Sequence, residues 1–314
     1  MPTYFRPEWT CGRYDKSSHS AIYYNLIEGM AYSFTEYSAD VIGCILAAGR
    51  NGEVQDYDVA QLTGISIESI VPFFRQLQDI NLLITKLPQK TDILEYRRYI
   101  SQRRKTQRAE PTSIKEKLSI DIAVAEKDYS SRAGGITGVM LELTYRCSEK
   151  CIHCYNPGAT RNDEEVSHRG DREELTLEDY KRIIDELYDE GIIKVCLSGG
   201  DPFSNKYVWD IIQYLYDKDI AFDVYTNGQS IVHQVERLAE FYPRVIGVSI
   251  YSGKPEEHDF ITRVQGSWLK SMDVVKQLSA LAVPMNLKCC VMKPNVKHYH
   301  EVADIARQFG AVHR

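Results

Sequence analysis

From residue 138 onward the chain repeats one alternation, a short apolar stretch followed by a longer segment of helical period, and this constrains its fold more than any other feature. Val139, Met140, Leu141 and Leu143 open it, and Val195–Ser198, Phe222–Thr226, Val245–Tyr251 and Met285–Met292 continue it. These runs are apolar, rich as a set in β-branched residues, and of strand length. Between them apolar residues recur at three- and four-residue spacing: Leu177, Tyr180, Ile183, Ile184 and Leu187, then Val208, Ile211, Ile212 and Leu215. Trp268, Val275, Leu278 and Leu281 follow less regularly, and His298 to Phe309 forms a last helix. Thr176 with Asp179 reads as a helix cap. Strands separated by helices pair in parallel, because each connection must cross over the sheet. The pattern predicts an α/β fold with five βα units over residues 138–314.

Each chemically suggestive motif falls at the carboxyl end of one of these strands, where βα folds place their active sites. After the first comes Cys147-Ser148-Glu149-Lys150-Cys151-Ile152-His153-Cys154. A structural zinc site wants four ligands, and the adjacency of His153 to Cys154 turns their side chains away from one metal. A four-iron cluster also takes four thiolates as a rule, so three in one tight loop suit a cubane with one iron left open. After the second strand comes Ser198-Gly199-Gly200-Asp201-Pro202, and after the third Thr226-Asn227-Gly228. Gly228 permits a positive-φ turn, and Asn227 either bonds locally or reaches the site. Ser249-Ile250-Tyr251-Ser252 ends the fourth, followed by His258-Asp259-Phe260-Ile261-Thr262-Arg263 and Gly266-Ser267. Of the other cysteines, Cys44 and Cys196 read as core residues. Cys289 and Cys290, adjacent on the fifth strand, would point to opposite faces.

The run Cys147-x3-Cys151-x2-Cys154, with an aromatic-type residue (His153) before the last cysteine, resembles the signature of the radical S-adenosylmethionine (SAM) superfamily. The resemblance extends over roughly residues 138–310. It implies a partial (βα) barrel of the radical SAM type, with a [4Fe-4S] cluster on Cys147, Cys151 and Cys154. It further implies S-adenosyl-L-methionine chelating the open iron and cleaved reductively to a 5′-deoxyadenosyl radical. By the same resemblance Gly199, Gly200 and Asp201 seat the cofactor's amino group, Asp201 standing where most members have Glu. Ser249 meets its ribose or carboxylate, and Arg263 its carboxylate, which a guanidinium can bind through two hydrogen bonds. His153, Tyr155 and Asn227 complete the implied cofactor contacts.

The first hundred residues follow another pattern. Tyr23–Ile27 and Met30–Phe34 flank Glu28-Gly29 as a hairpin, and Ser38 to Ala48 is an amphipathic helix. Asp58 caps a short helix that Gly64 turns, and Ser66 to Asp79 is another, started late or kinked by Pro72. Asn81–Ile84 closes as a strand. This order predicts a small winged-helix-like α+β domain over residues 1–96. A DNA-reading helix needs basic side chains, yet between Ser66 and Asp79 only Arg75 is basic, and the chain carries a net charge of −6. Nucleic acid is therefore not an expected partner. The element order over roughly residues 20–87 instead resembles the recognition element of ribosomally made peptide pathways, similar to the pyrroloquinoline quinone chaperone. That likeness implies a leader peptide added as a strand at the hairpin edge. The plainer alternative is a cap packed on the barrel.

Residues 97–137 read as a charged linker: Arg97, Arg98, Arg103, Arg104, Lys105 and Arg108 have no acid among them and predict a solvated helix or arm, and residues 130–135 have a flexible composition. The barrel would occupy residues 138–314. It is expected to lack its sixth strand and any auxiliary-cluster domain of the SPASM type, leaving an open sheet edge, poor stability or self-association. Eight cysteines without a signal-peptide core, and no apolar stretch of about eighteen residues, predict reduced thiols, a cytoplasmic setting and no membrane partner. His19, His298, His300 and His313 read as surface residues. The combined expectation is a radical SAM oxidoreductase that modifies a ribosomally synthesised peptide, forming a thioether or carbon–carbon crosslink. Its partners would be a leader-bearing precursor and an electron donor such as flavodoxin or ferredoxin. The alternatives are a maturase of a protein or small molecule with the N-terminal unit as a lid, and a non-catalytic Fe–S winged-helix regulator.

Overall fold

Tyr23 and Tyr24, neighbours on one strand, are both buried, because that strand is covered on both faces. The computed structural model describes residues 2–109, 114–156 and 175–314. In its N-terminal part a two-residue strand β1 (Tyr4–Phe5) precedes an antiparallel sheet of β2 (Thr10–Asp15), β3 (Ser20–Asn25) and β4 (Met30–Thr35). Helix α1 (Glu36–Ala47), strand β5 (Glu53–Val54, paired with β1) and helices α2 (Asp56–Thr63) and α3 (Ile67–Asp79) follow. Ala21 and Tyr23 face a core built with Ile42, Ile45, Phe74 and Leu77 of the helices. Ile22 and Tyr24 face a second core shared with Ala221 and Ala282 of the barrel.

The expected hairpin and helices are present, but β3 ends at Asn25 rather than Ile27, and three further differences appear. Gln55, not Asp58, stands at the N-cap of α2, while Gly64 ends it with a left-handed φ of 72° as foreseen. Helix α3 runs from Ile67 through Pro72, because burial of Ile70, Phe74 and Leu77 outweighs the one hydrogen bond that proline removes. Asn81–Ile84 is not a strand but contributes a single bridge from Ile84 to Phe5.

The connector is not a solvated arm. It forms α4 (Lys90–Ala109) and α5 (Ile114–Ala133), so a boundary at residue 96 would cut α4. Arg97 is buried and donates to Leu281 O (3.0 Å) and Ala239 O (2.8 Å). Arg104, also buried, donates to Ala282 O (2.7 Å) and Ile27 O. Arg98 and Arg103 are exposed, and the Arg108 side chain lies outside the described residues. Ser130–Arg132, expected to be flexible, are the last turn of α5.

The remainder is a parallel sheet of β6 (Gly138–Glu142), β7 (Lys194–Ser198), β8 (Ala221–Thr226), β9 (Val245–Ser249), β10 (Met285–Lys288) and β11 (Val312–His313), in that spatial order. Between strands lie α6 (Leu177–Asp189), α7 (Val208–Asp217), α8 (Val235–Glu240), α9 (Pro255–Thr262), α10 (Ser267–Ala280) and α11 (Tyr299–Phe309). Thr176 and Asp179 form the predicted capping box of α6. The expected loss of the sixth strand is corrected: Gly310 ends α11 with a left-handed φ of 68°, and the chain returns to pair Val312 with Asn286 and His313 with Leu287. Leu197, Val224, Ile246 and Met285, in one row across the sheet, pack against the helices. The alternate residues, among them Cys196, Tyr225, Ser249 and Lys288, take the opposite, inner face.

The N-terminal unit meets this sheet at the amino ends of its strands. Arg6 holds Asp219, just before β8, through two hydrogen bonds of 2.6 and 2.7 Å. Glu126 of α5 pairs with Lys194 at the start of β7 and with Arg244 just before β9. The carboxyl ends of the strands therefore stay clear of it. No helix among the described residues is long and apolar enough to cross a membrane.

Candidate functional site

The cysteine loop leaves β6 under tight control. Leu143 N donates to Ser198 O (3.0 Å), and Leu143 O accepts from both Tyr180 Oη and Asn205 Nδ2 at 2.8 Å. The loop then runs against the turn after β7: Gly200 N donates to Thr144 O (2.7 Å) and Asp201 N to Arg146 O (2.9 Å). Glycine is required in that turn. A Cβ at Gly199, whose φ is 131°, would stand 2.4 Å from Thr144 O, and one at Gly200 2.3 Å from Arg146 O. On the other flank Lys150 N donates to Thr262 O (3.0 Å) and Ile152 N to Ile261 O (2.9 Å), tying the loop to the end of α9.

Within the loop Cys147 Sγ accepts hydrogen bonds from Glu149 N (3.4 Å) and Asn227 Nδ2 (3.3 Å). Cys147 touches solvent, yet enough protein surrounds its thiol to push it up to about 11. Cys151 donates to Glu149 Oε2 (3.4 Å), and burial, reinforced by that carboxylate, raises it further. Metal ligation requires thiolates, so filling this loop must expel protons. Among the described residues no three His, Cys, Asp or Glu side chains already stand together as a metal site. The donor chemistry nevertheless fits a cluster: three thiols lie on one clamped loop, and Glu149 Oε1 and His153 Nδ1 are buried beside them without a hydrogen-bond partner among the described residues.

Asp201 differs from expectation. It is fully buried, and its carboxylate accepts from Phe203 N (3.1 Å) and Thr226 Oγ1 (3.2 Å), so it caps the turn Pro202–Ser204 rather than opening onto the site. Burial raises its pKa to about 6. The backbone of Gly199 and Gly200, not the Asp201 side chain, lies directly against the cysteine loop.

The other expected residues take different positions. Ser249 is the last residue of β9, half-buried on the inner face. Arg263 is exposed, in a left-handed conformation (φ 58°) directly after the residue that receives Lys150 N. Exposed Tyr155 donates to Glu142 Oε1 (2.7 Å) at the end of β6. His153 meets Tyr251 edge-on at 4.7 Å, and His258 stacks against Tyr251 at 5.4 Å. His258 Nδ1 accepts from Tyr251 N (3.2 Å), and burial lowers this histidine to about 4. Sequence reasoning assigned no role to Glu149, Tyr251 or His258. The one available signal was their position inside the two strand-end runs. Cys289 and Cys290 lie past the end of β10, so strand alternation does not govern them. Cys289 is half-buried with its thiol 3.5 Å from Tyr251 O, and Cys290 is exposed. His298, read from the sequence as a surface residue, is half-buried and bridges Glu257 (2.5 Å) and Lys254 (2.9 Å).

The sequence profile of the Radical SAM superfamily matches residues 141–306. The subtilosin biosynthesis protein AlbA of Bacillus subtilis is 28% identical over 172 residues, 54% of this chain and 36% of that protein. The mycofactocin maturase MftC of Mycolicibacterium smegmatis is 28% identical over 175 residues, 55% and 42% of the two chains. The PqqA peptide cyclase of Bradyrhizobium diazoefficiens is 26% identical over 170 residues, 53% and 41%. The match thus spans less than half the length of each of these relatives. Streptococcus suis SuiB superposes with a TM-score of 0.51 at 14% identity, covering 96% of this chain and 59% of that one. At that identity the likeness is one of fold.

Proposed function

The chain belongs to the radical SAM superfamily, and we propose that within it this protein is a maturase of a ribosomally synthesised peptide. The family's cofactors are a [4Fe-4S] cluster and S-adenosylmethionine. The observation that carries the reading is the placement of Cys147, Cys151 and Cys154 on one loop at the carboxyl end of β6, clamped by Gly199–Asp201 on one side and by α9 on the other. These three thiolates would hold the cluster. Bound there, the cluster with S-adenosylmethionine would supply radical chemistry at a substrate C–H bond.

The protein's own part is to bind, orient and shield. The Gly199–Gly200 backbone borders the place for the cofactor's amino group, with Asp201 contributing negative charge from beneath. Ser249, Arg263, His153 and Tyr155 border the same end of the sheet and are the proposed cofactor contacts. Support for a peptide substrate comes from the relatives, among them a peptide cyclase and a bacteriocin biosynthesis protein, and from SuiB, whose structure includes one bound to its precursor peptide SuiA. Support also comes from the N-terminal sheet. Strand β4 is one of its edges, and beside it runs an apolar groove of about 330 Å3 lined by Tyr32, Phe34, Phe73, Leu77, Ile80 and Val124. A leader segment would pair with β4 and bury apolar side chains in this groove. A thioether or carbon–carbon crosslink is the proposed product, with a small electron-transfer protein such as flavodoxin or ferredoxin as reductant.

Anaerobic reconstitution with iron and sulfide, reduction, and electron paramagnetic resonance with and without S-adenosylmethionine test the central claim. A reduced four-iron signal that shifts on cofactor addition and vanishes in Cys151→Ala is expected, together with formation of 5′-deoxyadenosine. A cluster indifferent to the cofactor would overturn the reading.

A further inference from the structure

We propose that Asn227 is a positioning residue that sets the reduction potential of the cluster by donating a hydrogen bond to the sulfur of Cys147. The inference rests on the family reading of the cysteine loop and gives Asn227 a role through the cluster in place of the cofactor contact that the family resemblance implied. Its amide is oriented unambiguously. Gln229 N donates to Asn227 Oδ1 at 2.9 Å, so the other end of the amide, Nδ2, is the one that faces Cys147 Sγ at 3.3 Å. The main chain is held as firmly: Ser271 Oγ donates to Asn227 O at 2.6 Å. Gly228 then turns with a left-handed φ of 87°, so close to α10 that a Cβ there would stand 3.2 Å from the Ser271 Cα. Asn227 itself is buried. The donor is thus built into the end of β8 and does not depend on a bound cofactor for its position.

The physical consequence follows from charge. Reduction adds one electron to the cluster, and part of that charge resides on its sulfurs. An N–H dipole aimed at a sulfur stabilises the reduced form more than the oxidised form and raises the potential. A buried donor acts more strongly than one in water, because the surrounding dielectric is low. Cys147 receives two such donors, the Asn227 amide and Glu149 N, whereas the Cys151 thiol donates to Glu149 instead. In this role Asn227 acts through Cys147.

The test is a potentiometric titration of the reconstituted full chain, followed by paramagnetic resonance without S-adenosylmethionine. It compares the wild type, Asn227→Leu and Asn227→Asp. The midpoint potential is expected to fall in the leucine variant, which has no donor. It should fall further in the aspartate variant, which puts a carboxylate where the donor stood. Cofactor affinity, read from the cofactor-induced change of the signal, is expected to stay unchanged in Asn227→Leu. Equal potentials in the three proteins overturn the proposal, and equal potentials with weakened cofactor affinity make Asn227 a cofactor contact instead. The wild type labelled with 15N in its asparagine side-chain amides gives a second measurement that needs no variant to fold. A 15N hyperfine coupling to the reduced cluster is expected, and its absence overturns the proposal. A wild type that assembles no four-iron cluster, as judged by iron and sulfide content, overturns the family-level reading and this inference with it.

Discussion

Asp201 and His258 are two buried ionisable side chains that pull the pH dependence of stability in opposite directions. Asp201 has its pKa raised by burial to about 6, so the folded chain holds its proton more tightly than the unfolded chain does. Its stability contribution is greatest below about pH 4 and declines by about 3 kcal/mol as pH rises through 6. His258 is lowered by burial to about 4. Its contribution is complete above the unfolded value of about 6.5 and is lost, again by about 3 kcal/mol, as pH falls toward 4. Asp201→Asn should therefore stabilise the cluster-free protein near pH 8 and leave it unchanged near pH 4, as read by urea unfolding. His258→Asn should remove the acid loss instead, and a variant with the wild-type slope would refute its assignment. Much of the site was legible at this scale. The spacing of Cys147, Cys151 and Cys154 and the paired glycines are local patterns that need no fold to interpret. The orientation of the Asn227 amide, the burial of Asp201 and the Tyr251–His258 stack were not legible. Each depends on a neighbour brought in by another strand or helix.

At the scale of elements, the turn after β7 and the helix α4 carry the sharpest expectations. Gly200→Ala would drive a methyl into Arg146 O, a backbone atom that cannot move without displacing the cysteine loop. A loss of about 2 kcal/mol in unfolding free energy is expected, with a reduced iron content after reconstitution. On α4 the arginines form a controlled comparison. Arg104→Met removes the donor for Ala282 O and Ile27 O and should cost about 2–3 kcal/mol. Arg103→Met, one residue away but exposed, should stay within about 0.5 kcal/mol of wild type in the same denaturant titration. Composition makes these two residues equivalent. Helix α6 was legible in full because its cap, Thr176 with Asp179, and its apolar period are contained within the helix itself. The short strands β1, β5 and β11 were not, since two residues show no alternation and acquire strand geometry only from a partner.

For the whole molecule, the decisive feature is the polar junction between the N-terminal unit and the amino ends of the parallel strands. Glu126 of α5 accepts from Tyr24 Oη (3.0 Å) and pairs with both Lys194 and Arg244. Glu126→Gln should leave Lys194 without its carboxylate at the junction, while Arg244 keeps Asp223, and cost about 3 kcal/mol. It should also split a single thermal transition into two, measurable by calorimetry; one unchanged transition would show that the junction does not couple the parts. The expectation of an open, unstable barrel rested on a missing sixth strand, which β11 supplies. By itself the sequence determined the parallel βα architecture, the cysteine loop and the glycine turn. Hydrophobic period and motif spacing act over a few neighbouring residues, so they survive without knowledge of the fold. Packing alone decided that Arg97 and Arg104 are buried struts rather than a solvated arm, and that Asp201 is buried beneath its turn. It alone also placed the N-terminal unit at the end of the sheet opposite the cysteines. Those outcomes depend on partners such as Leu281, 184 residues from Arg97, and burial is a property of the assembled packing rather than of any local stretch of chain.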